Sequence, residues 1–167
     1  RLQGGQGSDH GLARADIALH QAQHGLRLAE VVGDLVAHPL LRTVSLDRNF
    51  YRPLTVSQYQ RYAEQVPADF RFVVKAPSLV TDALVRTEDG RGREPNPAFL
   101  DPALACSEFV EPALAGLGDK LGALVFQLSP LPIAWLDRMP QLLGKLRDLL
   151  HALPPLKPQA SDGVIAV

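Results

Sequence analysis

Three polar residues stand at the ends of apolar runs in this chain, and their types could do chemistry together. Asp47 closes TVSLD, Lys75 closes FRFVVK, and Gln127 follows GALVF. A carboxylate can act as a general base, a metal ligand or the partner of a nearby cation such as Lys75 or Arg48. An ammonium can polarise an electron-rich group, hold a phosphate or serve as a base when its environment perturbs it. The alternative for the same pair is structural, an Asp47–Lys75 ion pair closing one end of the fold. Asn49, Phe50 and Tyr51 come directly after the first run. The aromatic pair could wall a small-molecule pocket, with Asn49, Tyr51 and Gln127 as substrate-binding candidates beside Asp47 and Lys75 as catalytic ones. Phe50 is also suited simply to packing.

Other constellations carry less chemistry. His20 and His24 have the i, i+4 spacing of a helical metal pair, but no Glu lies between them in the H-E-x-x-H manner and no third ligand is at hand. No metal site is expected, and no cofactor is specified. Arg91 and Arg93 in EDGRGREPNP could grip an anion, yet three neighbouring acids offset them. Ser78 and Thr81 lack a nucleophile elbow and a placed His. Cys106 is the only cysteine, so no internal disulfide can form, and helical packing suits it best.

The elements that must position Asp47, Lys75 and Gln127 follow from periodicity. Residues 1–25 read as a disordered or divergent segment rich in Gly, Gln and Asp, and 26–37 as a helix ended by Pro39. Thr43–Asp47 is the first strand, and Thr55 caps a helix over Val56–Gln65. Phe70–Lys75 is the second strand, and a long loop over Ala76–Asp101 leads to a helix ending near Leu117. Gly122–Leu128 is a third strand whose continuous apolar character fits a parallel sheet covered by helices. A helix over Ile133–Ala152, kinked near Pro140, should face inward through Leu136, Met139, Leu142, Leu143, Leu146 and Leu150. Val164–Val167 begins a fourth strand.

Alternating α and β elements imply an α/β fold with a parallel sheet, either open or closed into a TIM-type (β/α)8 barrel. No G-x-G-x-x-G or Walker-type loop follows any strand, which counts against nucleotide-binding open sheets. A full barrel takes roughly 250 residues, so this chain of 167 holds about the first half of one, a partial barrel over residues 26–167. Strand alternation places Val44, Leu46, Phe72, Val74, Leu124 and Phe126 toward the helices. Asp47, Lys75 and Gln127 then share the other face at the carboxyl ends of their strands, where barrel enzymes build their sites.

Composition bounds the remaining classes. Apolar residues make up 46% and charged residues 21%, with 17 basic residues against 18 acidic ones. Such a balance excludes the basic stripe of a nucleic-acid binder, and no apolar run reaches the roughly 20 residues of a membrane helix. A small-molecule ligand is the expected partner and the cytoplasm the expected compartment. The apolar close on GVIAV suggests truncation at the C-terminus, and the start at Arg1 an altered N-terminus.

The blocks TVSLDRNFY and YAEQVPADFRFVVKAPSLVTD resemble the YecE-like family, a domain family of unknown function (DUF72). Asp69, Phe70, Phe72, Lys75 and Pro77 match its D-F-x-F-x-x-K-x-P block, and Phe50 and Tyr51 match the end of its E-x-N-x-x-F-Y block. LGALVFQLSP and the Leu-rich helix after it resemble the next unit. Ser45 and Asp47 stand where the family has Glu and Asn. The resemblance implies a TIM-type barrel over about residues 38–167 and supplies no substrate, cofactor or reaction. The alternatives to an enzyme-like pocket are a non-catalytic binding or interaction protein and a fragment without function.

Overall fold

The computed structural model describes residues 42–86 and 92–167. The expected helix over 26–37, the divergent N-terminal segment and His20 and His24 lie outside the described residues, as does Arg91. Residues 42–167 form one unit.

Strand β1, Thr43–Leu46, runs into a short helical turn at Arg48–Tyr51. Helix α1, Val56–Glu64, starts on a capping box. Thr55 Oγ1 accepts the Gln58 amide, and the Gln58 side chain accepts the Thr55 N–H at 2.9 Å. Such a cap satisfies two otherwise orphaned donors and contributes about 1 kcal/mol. At the other end Lys120 Nζ donates to the Ala63 and Val66 carbonyls at 2.5 and 2.7 Å, placing a cation on the negative end of the helix dipole. Strand β2, Arg71–Lys75, follows.

The stretch expected as one long loop contains ordered structure. A helical turn at Ser78–Thr81 is followed by strand β3, Leu84–Arg86, which pairs antiparallel with β4, Gly92–Pro95. Gly92 and Pro95 read as loop signals, yet they stand at the two ends of β4, Pro95 where its missing N–H costs nothing.

Helix α2 spans residues 102–117. Asp101 accepts the Leu104 N–H at 2.9 Å, with Pro102 in the first turn. In its middle Cys106–Val110 forms a π-turn, and the Glu111 N–H reaches the Cys106 carbonyl. The widened turn sits immediately ahead of Pro112, whose ring would collide with a carbonyl four residues back in an unbroken α-helix. Strand β5, Leu121–Val125, leads through a 3₁₀ segment at Ile133–Arg138 into helix α3, Met139–Ala152, and then β6, Val164–Ala166. The break expected near Pro140 is this change from 3₁₀ to α, which leaves Pro140 in the tolerated first turn.

The main sheet is fully parallel with order β1-β2-β5-β6. Leu46, Val74 and Leu124 pair laterally and are buried, as are Phe72 and Phe126. With Tyr59 of α1 and Phe109, Val110, Ala113 and Leu114 of α2 they make the core. Each fully buried Phe or Leu there contributes about 1.5–3 kcal/mol. Helices α1 and α2 cross at Gly116, where a Cβ would lie 2.3 Å from Tyr59 Cβ. Gly122 interrupts the alternation of β5. The register slips there, and a side chain would press on Arg71 Cβ at 3.0 Å. This bulge explains why Leu121 and Leu124 are both buried although their spacing is odd.

The opposite face carries Ser45, Val73, Ala123 and Val164 in one lateral row. Val73 and Ala123 are half-buried, while Ser45 and Val164 are exposed.

Helix α3 departs from the expected packing. Only Leu142 and Leu149 are buried, whereas Leu136, Met139, Leu143 and Leu150 are exposed. Leu142, Lys145 and Leu149 form one narrow stripe, and Lys145 Nζ reaches the Phe99 carbonyl at 3.2 Å. A stripe this narrow suits contact with a single neighbour, the start of α2, so the broad apolar surface read from periodicity is only partly covered.

Candidate functional site

The parallel sheet brings the carboxyl ends of β1, β2 and β5 side by side. A cleft of about 310 Å3 opens there, lined by Asp47, Phe50, Tyr51, Lys75, Gln127, Leu128, Ser129 and Pro130. Asp47, Lys75, Tyr51 and Gln127 therefore meet at one place although 80 residues of chain separate the first from the last.

Lys75 Nζ lies 3.3 Å from Asp47 Oδ1, and Ser45 Oγ donates to the same oxygen at 2.9 Å. The Lys75 side chain is 33% exposed and that of Asp47 60%. An ion pair this open is worth about 0–1 kcal/mol, since water competes for both charges. It is the only ion pair of Lys75 among the described residues, and an ammonium has three donors to place. Little energy is thus needed to turn Lys75 toward another anion.

Asn49 is placed differently from the other substrate-binding candidates. It is fully buried, donates from Nδ2 to the Lys75 carbonyl at 2.8 Å and accepts the Leu54 N–H on Oδ1 at 2.9 Å. Its amide ties the segment after β1 to the end of β2. The segment so fixed carries Phe50 and Tyr51, whose rings meet edge to face with centroids 5.3 Å apart. Tyr51 is 83% exposed, a large aromatic surface presented to solvent at the mouth of the cleft.

Ser129 and Asp82 were not singled out by their sequence context. Asp82 is 4% exposed and accepts a hydrogen bond from Ser129 Oγ. The Ser129 amide approaches the Thr81 carbonyl at 3.4 Å, and Asn96 Nδ2 donates to the Asp82 carbonyl at 2.8 Å. The loops after β2 and β5 are joined at this point. One signal was present: Ser129 lies two residues beyond Gln127, on the same strand parity. Nothing in SLVTD marked Asp82 as buried.

Other reactive groups lie outside the cleft. Burial, with a smaller contribution from Glu111, raises the Cys106 thiol above its ordinary pKa. Ser78 and Thr81 are not part of the lining, and Thr81 Oγ1 donates to the Pro77 carbonyl at 3.2 Å. Among the described residues no group of three or more His, Cys, Asp or Glu could hold a metal ion. No helix among them is long and apolar enough to cross a membrane.

Comparison with curated proteins and with solved structures finds no match. One family model, described as "Protein of unknown function DUF72", matches residues 35–161 of the 167-residue chain. The match takes in β1, β2, β5, every residue of the cleft and the Asp82–Ser129 contact. On this basis the chain belongs to the family of unknown function DUF72.

Proposed function

We propose that the four parallel strands are part of a (β/α)8-type barrel and that the cleft at their carboxyl ends binds a small polar or anionic molecule. The location is the one barrel enzymes use, which supports the reading by analogy of fold. So does the half-exposed face of small and mixed residues, because parallel sheets are ordinarily covered on both sides. Lys75 is the main contact, Asp47 its resting counter-ion and acid–base candidate, and Tyr51 and Gln127 complete the wall. Asn49 supports the site from inside the fold.

One observation carries this reading. Lys75 is two-thirds buried at the edge of a cleft, yet among the described residues its charge is answered by a single weak, exposed carboxylate. A purely structural lysine at this depth would be expected to have stronger pairing. The test is a titration of the chain with small carboxylates and phosphates by ligand-observed NMR. Binding should be lost in Lys75→Ala while the thermal transition moves by less than a few degrees. An unchanged ligand profile in Lys75→Ala would refute the proposal.

A further inference from the structure

We infer that the ligand of this cleft carries a flat aromatic ring joined to its anionic group, and that Tyr51 is the platform on which the ring stacks. The inference rests on the anion-binding reading of Lys75 and adds the part of the molecule that the apolar half of the wall calls for.

Half of the lining residues are apolar: Phe50, Tyr51, Leu128 and Pro130 share the cleft with Lys75. A plain anion satisfies the ammonium and leaves these four bordering water. A ring attached to the anion removes apolar surface from water on both partners, which favours binding in proportion to the area covered. The cleft holds about 310 Å3, at the lower end of the roughly 300–1,000 Å3 usual for ligand pockets. That size suits one ring with its anionic substituent.

Tyr51 is the residue best placed to meet that ring. An exposed aromatic on an ordinary surface needs no explanation, but this one borders a cleft and stands on a segment tied down from inside the fold. Tyr51 is 83% exposed, so the Phe50 ring, 5.3 Å away and inclined at 87°, can cover no more than one of its faces. The turn that carries it, Arg48–Tyr51, is bracketed through Asn49 to the Lys75 carbonyl and the Leu54 N–H. Its backbone is therefore set before a ligand arrives, and a tyrosine has only two side-chain torsions left to settle. Such a ring offers a large contact area at small entropic cost. Flatness adds selectivity, because aromatic faces and edges of opposite polarity attract beyond what area burial supplies. A saturated ring of similar size gains the burial alone.

Two matched pairs of probes test this with the full 167-residue chain: benzoate against cyclohexanecarboxylate, and phenyl phosphate against cyclohexyl phosphate. The wild type should prefer the aromatic member of at least one pair by about fivefold in Kd, the gain that stacking adds to burial. The pair that shows the preference identifies carboxylate or phosphate as the anionic group. In Tyr51→Ala the ratio should fall to about one, and in Tyr51→Phe, which keeps the ring, it should hold. The melting temperature of Tyr51→Ala should stay within about 2 °C of the wild type, as for an exposed side chain. A wild-type ratio near one, a fivefold ratio surviving in Tyr51→Ala, or binding of neither pair would overturn the inference. So would a large loss of stability in Tyr51→Ala, since the ring would then belong to the packing of the fold. Lys75→Ala separates the two levels, and it should weaken both members of a pair while leaving their ratio unchanged. If it weakens both while the wild-type ratio is near one, anion binding stands and the aromatic platform fails. If Lys75→Ala binds both members as the wild type does, the anion-binding reading fails, and a ratio that still depends on Tyr51 upholds the platform alone.

Discussion

Replacing Asn49 by Ala should destabilise the protein by about 3 kcal/mol and loosen one wall of the cleft. The side chain makes two bonds, a part-buried one to the Lys75 carbonyl at 2.8 Å and a buried one from the Leu54 N–H at 2.9 Å. Alanine leaves both backbone groups behind, and each buried group stripped of its partner costs about 1–3 kcal/mol. The sum is roughly 2–6 kcal/mol, and the lower half applies because the Lys75 carbonyl lies near the cleft, where water can reach it. At about 3 °C per kcal/mol for a chain of this size, the melting temperature should fall by roughly 10 °C. Thermal denaturation followed by circular dichroism measures this directly. Hydrogen exchange adds the location: the Leu54 amide should lose protection by more than amides in β5. A loss below about 1 kcal/mol, or unchanged protection at Leu54, would show that Asn49 does not hold the segment after β1 to β2.

Further substitutions probe the framework around the site. Gly116→Ala should cost about 1–3 kcal/mol by forcing α1 and α2 apart, because the new methyl would lie 2.3 Å from Tyr59 Cβ and 2.8 Å from the Val56 carbonyl oxygen. Gly144→Ala in α3 meets nothing within 4 Å and should stabilise by up to about 1 kcal/mol; urea titration of both variants checks the opposite signs. Tyr59→Phe should raise stability slightly, by about 1 kcal/mol, since the Tyr59 hydroxyl is buried without a partner among the described residues; chemical denaturation showing a loss instead would contradict this. Lys120→Met should cost about 1.5–3 kcal/mol through the lost bonds to Ala63 and Val66, read as a lower melting temperature. Cys106 should alkylate more slowly than a free thiol at pH 8, because burial and Glu111 raise its pKa. The unfolded chain releases that proton first, so this thiol's contribution to stability falls as pH rises through the ordinary thiol range of about 8.5.

Lys75 was legible from strand parity at the end of β2, whereas Asp47 and Gln127, which stand just beyond β1 and β5, were legible as the polar residues that close apolar runs. The capping box at Thr55 was half legible, as the cap was evident from its type but the reciprocal Gln58 bond was not weighed. Other features depend on distant partners. Asn49 looks like a loop polar residue, and only the approach of Lys75 from 26 residues away turns it into a buried bracket. Asp82 reads as a turn acid until Ser129, 47 residues on, is brought against it. Leu143 and Leu150 fall on an apolar stripe of α3, and periodicity reports that a stripe exists without saying how much of it is covered.

Strand order has a consequence for the growing chain. In β1-β2-β5-β6 each new strand adds to one side of a sheet already begun. Leaving the ribosome, β2 can join β1 early, with only α1 between them. The next neighbour is far off, because β5 begins at Leu121 and β2 ends at Lys75. At about 5–20 residues per second, the β5-facing side of β2 waits roughly 2–9 seconds for its partner. During that interval the helical turn at Ser78–Thr81, the strands β3 and β4 and helix α2 are newly made, among the described residues, and can shelter Phe72 and Val74. The slow moment of synthesis therefore falls on the strand that ends in Lys75, and errors of assembly would be expected first at the wall of the cleft.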